Sequence, residues 1–256
     1  MRILFGLALL ALLAVNVQAV TLFHWTFEGT EGAPLESDTD IVGGVTLQAF
    51  TESGTGSVSY GPGGKGANFD NPSDDPGTGL MAIDTDNSLD LNIGAFTVEA
   101  IVTPETIRQS VIARKYGGDG FWLLEIEHRQ QFGFGIRGDD YRIFGTSGIV
   151  PGETYHVAAV FDETNAAEPM KLYINFDLEA VGTWSDRPGD STRGFGVGCI
   201  VRDNSFPPGS AGQYFDGLIS EVRISDAALT PEEFIPEPAT IAFLALGGLG
   251  LLRRRR

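Results

Sequence analysis

The sequence predicts an all-β fold, a jelly-roll β-sandwich of two antiparallel sheets, between two apolar terminal segments. Three observations carry this. Short runs of alternating, β-branched or aromatic residues recur from residue 20 to residue 235, each bounded by Gly, Pro, Asp or Asn. The 34 glycines and 13 prolines punctuate the whole chain, and between the termini no helical period lasts more than two turns. With 256 residues, 42% of them hydrophobic, the chain is long enough to bury a core without staples.

Residues 1–19 read as a secretory signal peptide. Arg2 supplies the positive start, and Ile3 to Val15 form an apolar stretch too short to span a bilayer comfortably. Val17-Gln18-Ala19 places small residues before the expected cut, after Ala19. Such a signal implies passage through the Sec export machinery.

Residues 20–235 form the body. Leu22 to Phe27 alternates. Strand-like runs follow at Phe96 to Val102, Ser110 to Arg114, Phe121 to Glu127, Gln131 to Ile136 and Thr154 to Phe161. Met170 to Ile174, Leu178 to Trp184, Phe195 to Ile200 and Gly217 to Ile224 complete the series. In the fourth run Trp122, Leu124 and Ile126 are expected to point inward while Glu125 and Glu127 face water. Tyr155 to Phe161 is apolar on both faces, which suits a central strand covered on each side. Glu52 to Gly66 and Asp70 to Gly79 read as surface loops. Thr230-Pro231-Glu232-Glu233 has Thr at the N-cap, Pro at the first position and Glu at the third, so one short helix should close the body. There is no internal repeat and no second domain.

The balance of 17 basic to 34 acidic residues gives a net charge of −17. A surface this negative repels phosphate backbones and argues against nucleic acid as a partner. It is compatible with solubility outside the cell, divalent cations and neutral glycans. The single Cys199 excludes an intrachain disulfide framework and reads as a buried small hydrophobe.

Residues 236–256 read as an address. Pro236-Glu237-Pro238 precedes Ala239 to Leu252, which carry no charge, and then Arg253, Arg254, Arg255 and Arg256. A helix of that length reaches about 21 Å at ~1.5 Å per residue, short of the ~30 Å hydrocarbon core. It would contact the membrane transiently, with the arginines holding its end on the cytoplasmic side. This Pro-Glu-Pro motif, short apolar helix and terminal arginine cluster resemble the PEP-CTERM sorting signal of Gram-negative bacteria. The resemblance implies recognition and cleavage by an exosortase near Pro236-Glu237-Pro238, followed by delivery to the cell surface or extracellular polymer.

The body resembles the laminin G-like jelly rolls of the concanavalin A-like lectin/glucanase superfamily. The matching pieces occur in order. They are His24-Trp25-Thr26-Phe27-Glu28-Gly29, Gly66-Ala67-Asn68-Phe69-Asp70, Ser88-Leu89-Asp90-Leu91 and Phe96-Thr97-Val98-Glu99-Ala100. Thr154-Tyr155-His156-Val157-Ala158, Lys171-Leu172-Tyr173-Ile174-Asn175 and Phe215-Asp216-Gly217-Leu218-Ile219-Ser220-Glu221-Val222-Arg223-Ile224 follow. Two positions depart from the family pattern. Thr154 replaces a Trp, so one core anchor must come from elsewhere. Phe176 replaces the Gly of a tight hairpin. A two-residue turn there needs positive φ at Phe176, at a cost of about 1 kcal/mol, unless the turn is longer or differently registered.

The candidate chemistry follows from this resemblance. Superfamily members include glycoside hydrolases, and Glu125 and Glu127 share one strand face with Cβ atoms about 7 Å apart. Laminarinase-type relatives carry Glu-x-Asp-x-x-Glu on such a strand, whereas here Glu127 and Gln130 depart from that pattern. No catalytic residue is therefore assigned. His24, His128 and His156 show no ligand spacing, and His156 reads as a structural histidine in a core strand. Sandwiches of this kind often carry one structural Ca²⁺ on hard oxygen ligands. The resemblance implies Glu28 and Asp216 as its ligands, with Asp139, Asp140, Asp203 and Asn204 as alternatives on the rim. Asp84 to Asp90 resembles the start of an EF-hand, but Leu89 stands at the required Gly and Ala95 at the required Glu. Glycan binding needs aromatic platforms beside polar groups, and Trp184, Tyr116, Tyr141 and Tyr214 are the candidates; Trp25 and Trp122 read as core. The expected function is a non-catalytic binding module for carbohydrate or exopolysaccharide at the cell surface or in the matrix. The alternatives are a hydrolase or lyase using Glu125 and Glu127, and a protein–protein adhesion module.

Overall fold

The computed structural model describes residues 19–73, 75–117, 121–137 and 141–235. The signal segment up to residue 18, the sorting segment 236–256 with its expected membrane helix, and Asp139 and Asp140 lie outside the described residues. Among the described residues no helix is long and apolar enough to cross a membrane.

The N-terminal third contributes β1 (Thr21–Trp25), β2 (Ser37–Thr39), β3 (Thr46–Thr51), β4 (Ser57–Tyr60), β5 (Ala67–Asp70) and β6 (Thr78–Ala82). The middle contributes β7 (Ala95–Pro104), β8 (Ser110–Lys115), β9 (Trp122–Glu127), β10 (Gln131–Ile136), β11 (Arg142–Phe144) and β12 (Tyr155–Asp162). The remainder is β13 (Met170–Ile174), β14 (Asp177–Gly182), β15 (Phe195–Val197), β16 (Ile200–Val201), β17 (Ala211–Gly212) and β18 (Gly217–Ser225). These build two large antiparallel sheets and a small flap. One sheet runs β14-β13-β12-β7-β18-β5-β4, with β1 also paired to β18. The other runs β11-β10-β9-β8-β15-β6-β3-β2, and β16 pairs with β17 alone.

The period-2 pattern decides which side chains meet. Phe96, Val98, Ala100 and Val102 of β7, with Val157, Ala159 and Phe161 of β12, line the inner face of the first sheet. Opposite them stand Trp122, Leu124 and Ile126 of β9 and Phe132, Phe134 and Ile136 of β10. All of these are nearly or fully buried. Phe96 meets Phe134 edge-on across the sandwich, with ring centroids 6.3 Å apart. Trp122 and Trp25 are core residues as expected. Their indole nitrogens donate to Leu89 O (2.9 Å) and Val45 O (3.1 Å), so neither polar atom is stranded. Cys199 is also buried, and burial pushes its thiol up.

β12 is covered on both faces for a visible reason. Its outward residues Ala158 and Val160 sit under Leu229 and Phe234, from the segment that follows β18. Pro231–Glu233 in that segment is a 3-10 turn, in which the Glu233 carboxylate accepts from Thr230 N at 2.9 Å. Beneath Phe234, buried Glu99 gathers three donors: His156 Nε2 (3.0 Å), Arg223 Nε (2.7 Å) and Ile235 N (2.8 Å). His156 is thus a structural histidine.

The β13–β14 hairpin has the tight turn with positive φ at both central residues, Asn175 (51°) and Phe176 (71°). Ile174 pairs directly with Asp177. The conformation opposes the side chain, but the Phe176 ring stacks on His156 at 4.7 Å and lies against Phe234. Glycine would remove the strain and the stack together. Thr154 does not replace the family's Trp in the core; its hydroxyl bonds the Thr103 hydroxyl at 2.8 Å in an exposed position where β12 begins.

Three expectations on the strands need correction. Glu52 to Gly66 holds β4, and Asp70 to Gly79 runs into β6, so neither stretch is only loop. Phe195 to Ile200 is not one strand: Gly198, at φ 70°, turns the chain out of β15 and into β16. Glu125 and Glu127 leave the core as predicted but are buried rather than solvated.

One carboxylate outside the core makes a pH prediction. Glu179 on β14 accepts from Thr146 N (2.8 Å) and Ser147 N (3.1 Å) and from both hydroxyls. Burial opposes the charged form, yet the Ser147 and Thr146 hydrogen bonds outweigh it and hold the carboxyl down at about 2. A depressed folded value means stability present above the unfolded carboxylate value and lost as pH falls from about 4.5 toward 2. Glu179→Gln is expected to flatten the stability profile over that window in denaturant titrations at fixed pH. Equal slopes for wild type and variant would contradict the assignment.

Candidate functional site

The outer face of the second sheet carries a cleft of about 530 Å³ lined by residues of β8, β9 and β11 and by the flap. One wall follows from alternation. With Phe132, Phe134 and Ile136 inward, β10 turns Gly133 and Gly135 outward, and the β11 side chains Phe144 and Arg142 lie over them. A Cβ on Gly135 would come within 2.8 Å of Arg142 Cγ. The glycine therefore lets Arg142, its β11 partner, lie flat across the strand.

Arg142 reaches the outward Glu125 of β9, its Nη1 donating to Oε1 at 2.7 Å. Glu125 is fully buried and the Arg142 side chain is 12% exposed. Arg142 thus lines the cleft while its carboxylate partner lies buried beneath it. Arg114, outward at the end of β8, lies between two aromatic rings. Its guanidinium carbon is 4.4 Å from the centre of Phe121 and 5.0 Å from that of Tyr116. One of its nitrogens donates to Gln213 Oε1 at 3.3 Å, tying β8 to the flap. Glu127 completes the wall, ion-paired with His128 and accepting from Arg129 N at 2.8 Å.

The predicted platforms separate in space. Tyr116 lines this cleft, with one ring face turned to Arg114. Tyr141 and Trp184 come together elsewhere, stacked on each other with centroids 3.4 Å apart at 19°. Each therefore spends one ring face on the other. Tyr214 is a correction: it is fully buried under the flap against Phe50, and its hydroxyl donates to Glu52 Oε2 at 2.9 Å. Its polar sequence neighbours suggested a loop, but the β16–β17 excursion folds it inward.

The implied calcium ligands do not converge. Glu28 is exposed and bridges to Lys65, whereas Asp216 stands opposite Asp70 at the far end of β5. Five positions at about 3.3 Å per residue hold them roughly 17 Å apart. Asp216 is engaged as acceptor for Asn71 N at 3.0 Å. Asp203 accepts from Ser205, Gly209 and Ser210 within its own loop, and Asn204 holds the Asp84 backbone. Among the described residues no group of three or more ligating side chains fits a metal ion.

Arg142 and Gln213 escaped the sequence reading, and Arg114 was counted only as a strand end. One signal was available: Gln131-Phe132-Gly133-Phe134-Gly135-Ile136 alternates large apolar residues with glycine, marking a strand whose outer face leaves room for a close neighbour.

Comparison with known proteins agrees with this architecture. Residues 76–234 match the family model of the concanavalin A-like lectin/glucanases superfamily. Residues 234–256 match the PEP-CTERM protein-sorting motif, which marks an exported protein with a C-terminal membrane-anchoring signal for exosortase sorting. No curated protein matches the chain. Among solved structures, domain 4 of AbnA, a GH43 extracellular arabinanase from Geobacillus stearothermophilus, in complex with arabinotriose, is similar. It gives a TM-score of 0.57 at 20% identity, over 84% of this chain and 96% of that one. The binding domain of botulinum neurotoxin DC, in complex with rat synaptotagmin II, gives 0.55 at 11% identity, over 83% of this chain and 49% of that one. Trypanosoma rangeli sialidase gives 0.54 at 16% identity, over 82% and 31%. The chain thus spans nearly all of the arabinanase domain, about half of the neurotoxin fragment and a third of the sialidase. At these identities the likeness is one of fold.

Proposed function

Since the chain belongs to the concanavalin A-like lectin/glucanases superfamily, we propose that it is an exported, non-catalytic carbohydrate-binding module whose ligand lies in the cleft between β8, β9, β11 and the flap. One observation carries this reading. Two planar polar side chains that line the cleft, Arg114 and Arg142, are fixed in place by partners, Gln213 and the buried Glu125. Carbohydrate recognition needs directional polar groups that do not have to be ordered on binding, with an apolar wall beside them. Here Tyr116 supplies the wall. The arabinotriose-bound arabinanase domain supports the class of ligand. The sorting segment supports a place at the cell surface or in the extracellular polymer, where an exopolysaccharide is the available glycan.

The hydrolase reading is weaker on the geometry. Retaining hydrolysis asks for a carboxyl free to reach the scissile bond, whereas Glu125 is fully buried and held by the Arg142 guanidinium at 2.7 Å. Glu127 is occupied by His128 and the Arg129 amide. The exported protein is expected to bind members of a polysaccharide panel saturably without releasing product. Arg142→Ala is expected to weaken that binding at least tenfold, about 1.4 kcal/mol. Product release that Glu125→Gln abolishes would establish the hydrolase, and capture of a surface protein without glycan affinity would establish adhesion; either would overturn the proposal.

A further inference from the structure

β8 ends on a residue that belongs on neither face. Arg114 points to the cleft, so the next residue, Lys115, points into the core beside Trp122, its partner on β9. The Lys115 side chain is fully buried there. Its Nζ lies 2.5 Å from Asp84 Oδ2 and 3.0 Å from Asp90 Oδ1, and both carboxyl groups are also buried. The second oxygen of Asp90 accepts from Ser191 N at 2.6 Å. Asp84 Oδ2 also accepts from Leu89 N at 3.3 Å, while Asp84 Oδ1 and Asp90 Oδ1 each have no hydrogen-bond partner among the described residues. None of the three takes part in the cleft.

A simple ion pair is an awkward description of this group. One ammonium and two carboxylates leave an excess negative charge in the core, and each buried ion costs several kcal/mol of hydration. A carboxylate oxygen without a donor adds to that cost. A condensation would remove two of the charges together. We propose that Lys115 and Asp84 are joined through their side chains by an amide bond that forms within the folded core, with Asp90 carrying the protons.

The step balances with no outside reagent. Asp90 takes a proton from the ammonium, leaving a free amine against the Asp84 carboxyl. Nζ attacks Cγ of Asp84, the N–C bond forms, and one C–O bond breaks. The departing oxygen collects the two protons shed by the nitrogen, delivered by Asp90, and leaves as water. The amide nitrogen keeps one hydrogen, and Asp90 ends as it began. Nothing is oxidised or reduced. Burial pushes the Asp90 carboxyl up, in the direction a proton carrier needs. Fixed geometry supplies the effective concentration that makes an otherwise unfavourable condensation accessible. The product would close a covalent loop across residues 31 apart in an exported chain with a single Cys. Such a link restricts the unfolded chain as a disulfide does.

Peptide mapping of the denatured full-length protein tests this. Trypsin does not cut after an acylated lysine, so the peptide beginning at Lys115 should be recovered attached to the Asp84 peptide. Their joint mass should be lower by one water molecule than the sum of the parts. Asp90→Asn should give the unlinked peptides, as should Lys115→Met. Cleavage after Lys115 in the wild type, with a free Asp84 peptide of full mass, would overturn the proposal and leave an ion pair. A link to Asp90 in place of Asp84 would overturn the assignment of nucleophile's partner and proton carrier.

Discussion

Replacing Glu99 with alanine is expected to cost about 3–5 kcal/mol of folding stability, the range for removing one partner from a buried charge network. Glu99 is the acceptor for His156, Arg223 and the Ile235 amide. Its loss strands a buried histidine and a guanidinium, and it also frees the segment that roofs β12. Leu229 and Phe234 would lose their anchorage, exposing Ala158 and Val160. Glu99→Gln keeps the shape and one acceptor oxygen, so it should fall between alanine and wild type. Urea denaturation of the three proteins gives the comparison. A loss below about 1 kcal/mol for the alanine variant would show that the network is not holding the roof.

Trp122→Ala is expected to cost a similar amount by another route. The indole is fully buried, packs against Phe195 at 5.6 Å and donates to Leu89 O at 2.9 Å. Removing it opens a cavity between the sheets, and such truncations cost about 3–5 kcal/mol. It also leaves the Leu89 carbonyl short of its donor. The variant should lower the urea midpoint without changing the slope. A loss under about 1 kcal/mol would mean that the core collapses into the space, and that the sandwich is packed more loosely than its burial suggests.

How much of this was legible depends on what each residue's role required. The central strands β7, β9, β10 and β12 declare themselves because alternation or two-sided burial is written into consecutive residues. β2, β3 and β4 do not. They lie at or near sheet edges: β2 is Ser, Asp and Thr alone, β4 sets only Val58 and Tyr60 among serines, and in β3 the buried Leu47 and Phe50 stand three apart, which breaks the two-residue period. Gly198 hid the break between β15 and β16, since an apolar run on both sides masks a positive-φ corner. Tyr116 was found by its surroundings, while Tyr214 was misplaced by them. A tyrosine among Gly, Gln and Asp looks exposed until its hydroxyl finds Glu52 and a flap closes above it. The Glu125–Arg142 pair was illegible for a different reason. It depends on the register of β9, β10 and β11 together, and on Gly135 leaving a path between them.

Phe176 shows the same limit from the other side. The sequence identified the strained turn, and only the fold supplies what offsets it: His156 and Phe234, far away in the chain, stack against the ring that the backbone resists. The implied calcium pair failed because neighbouring strands need not bring their ends level. Glu28 and Asp216 flank strands that pair, but at opposite ends of β5.

The direct test of the cleft is chemical-shift mapping of the isotope-labelled protein with an oligosaccharide that it captures from a polysaccharide panel. Amide shifts should concentrate at Tyr116, Gly117, His128, Arg142 and Gln213, which line the cleft, and Arg142→Ala should abolish them. Shifts gathered around Tyr141 and Trp184, or on the outer face of the first sheet, would contradict the cleft as the binding site.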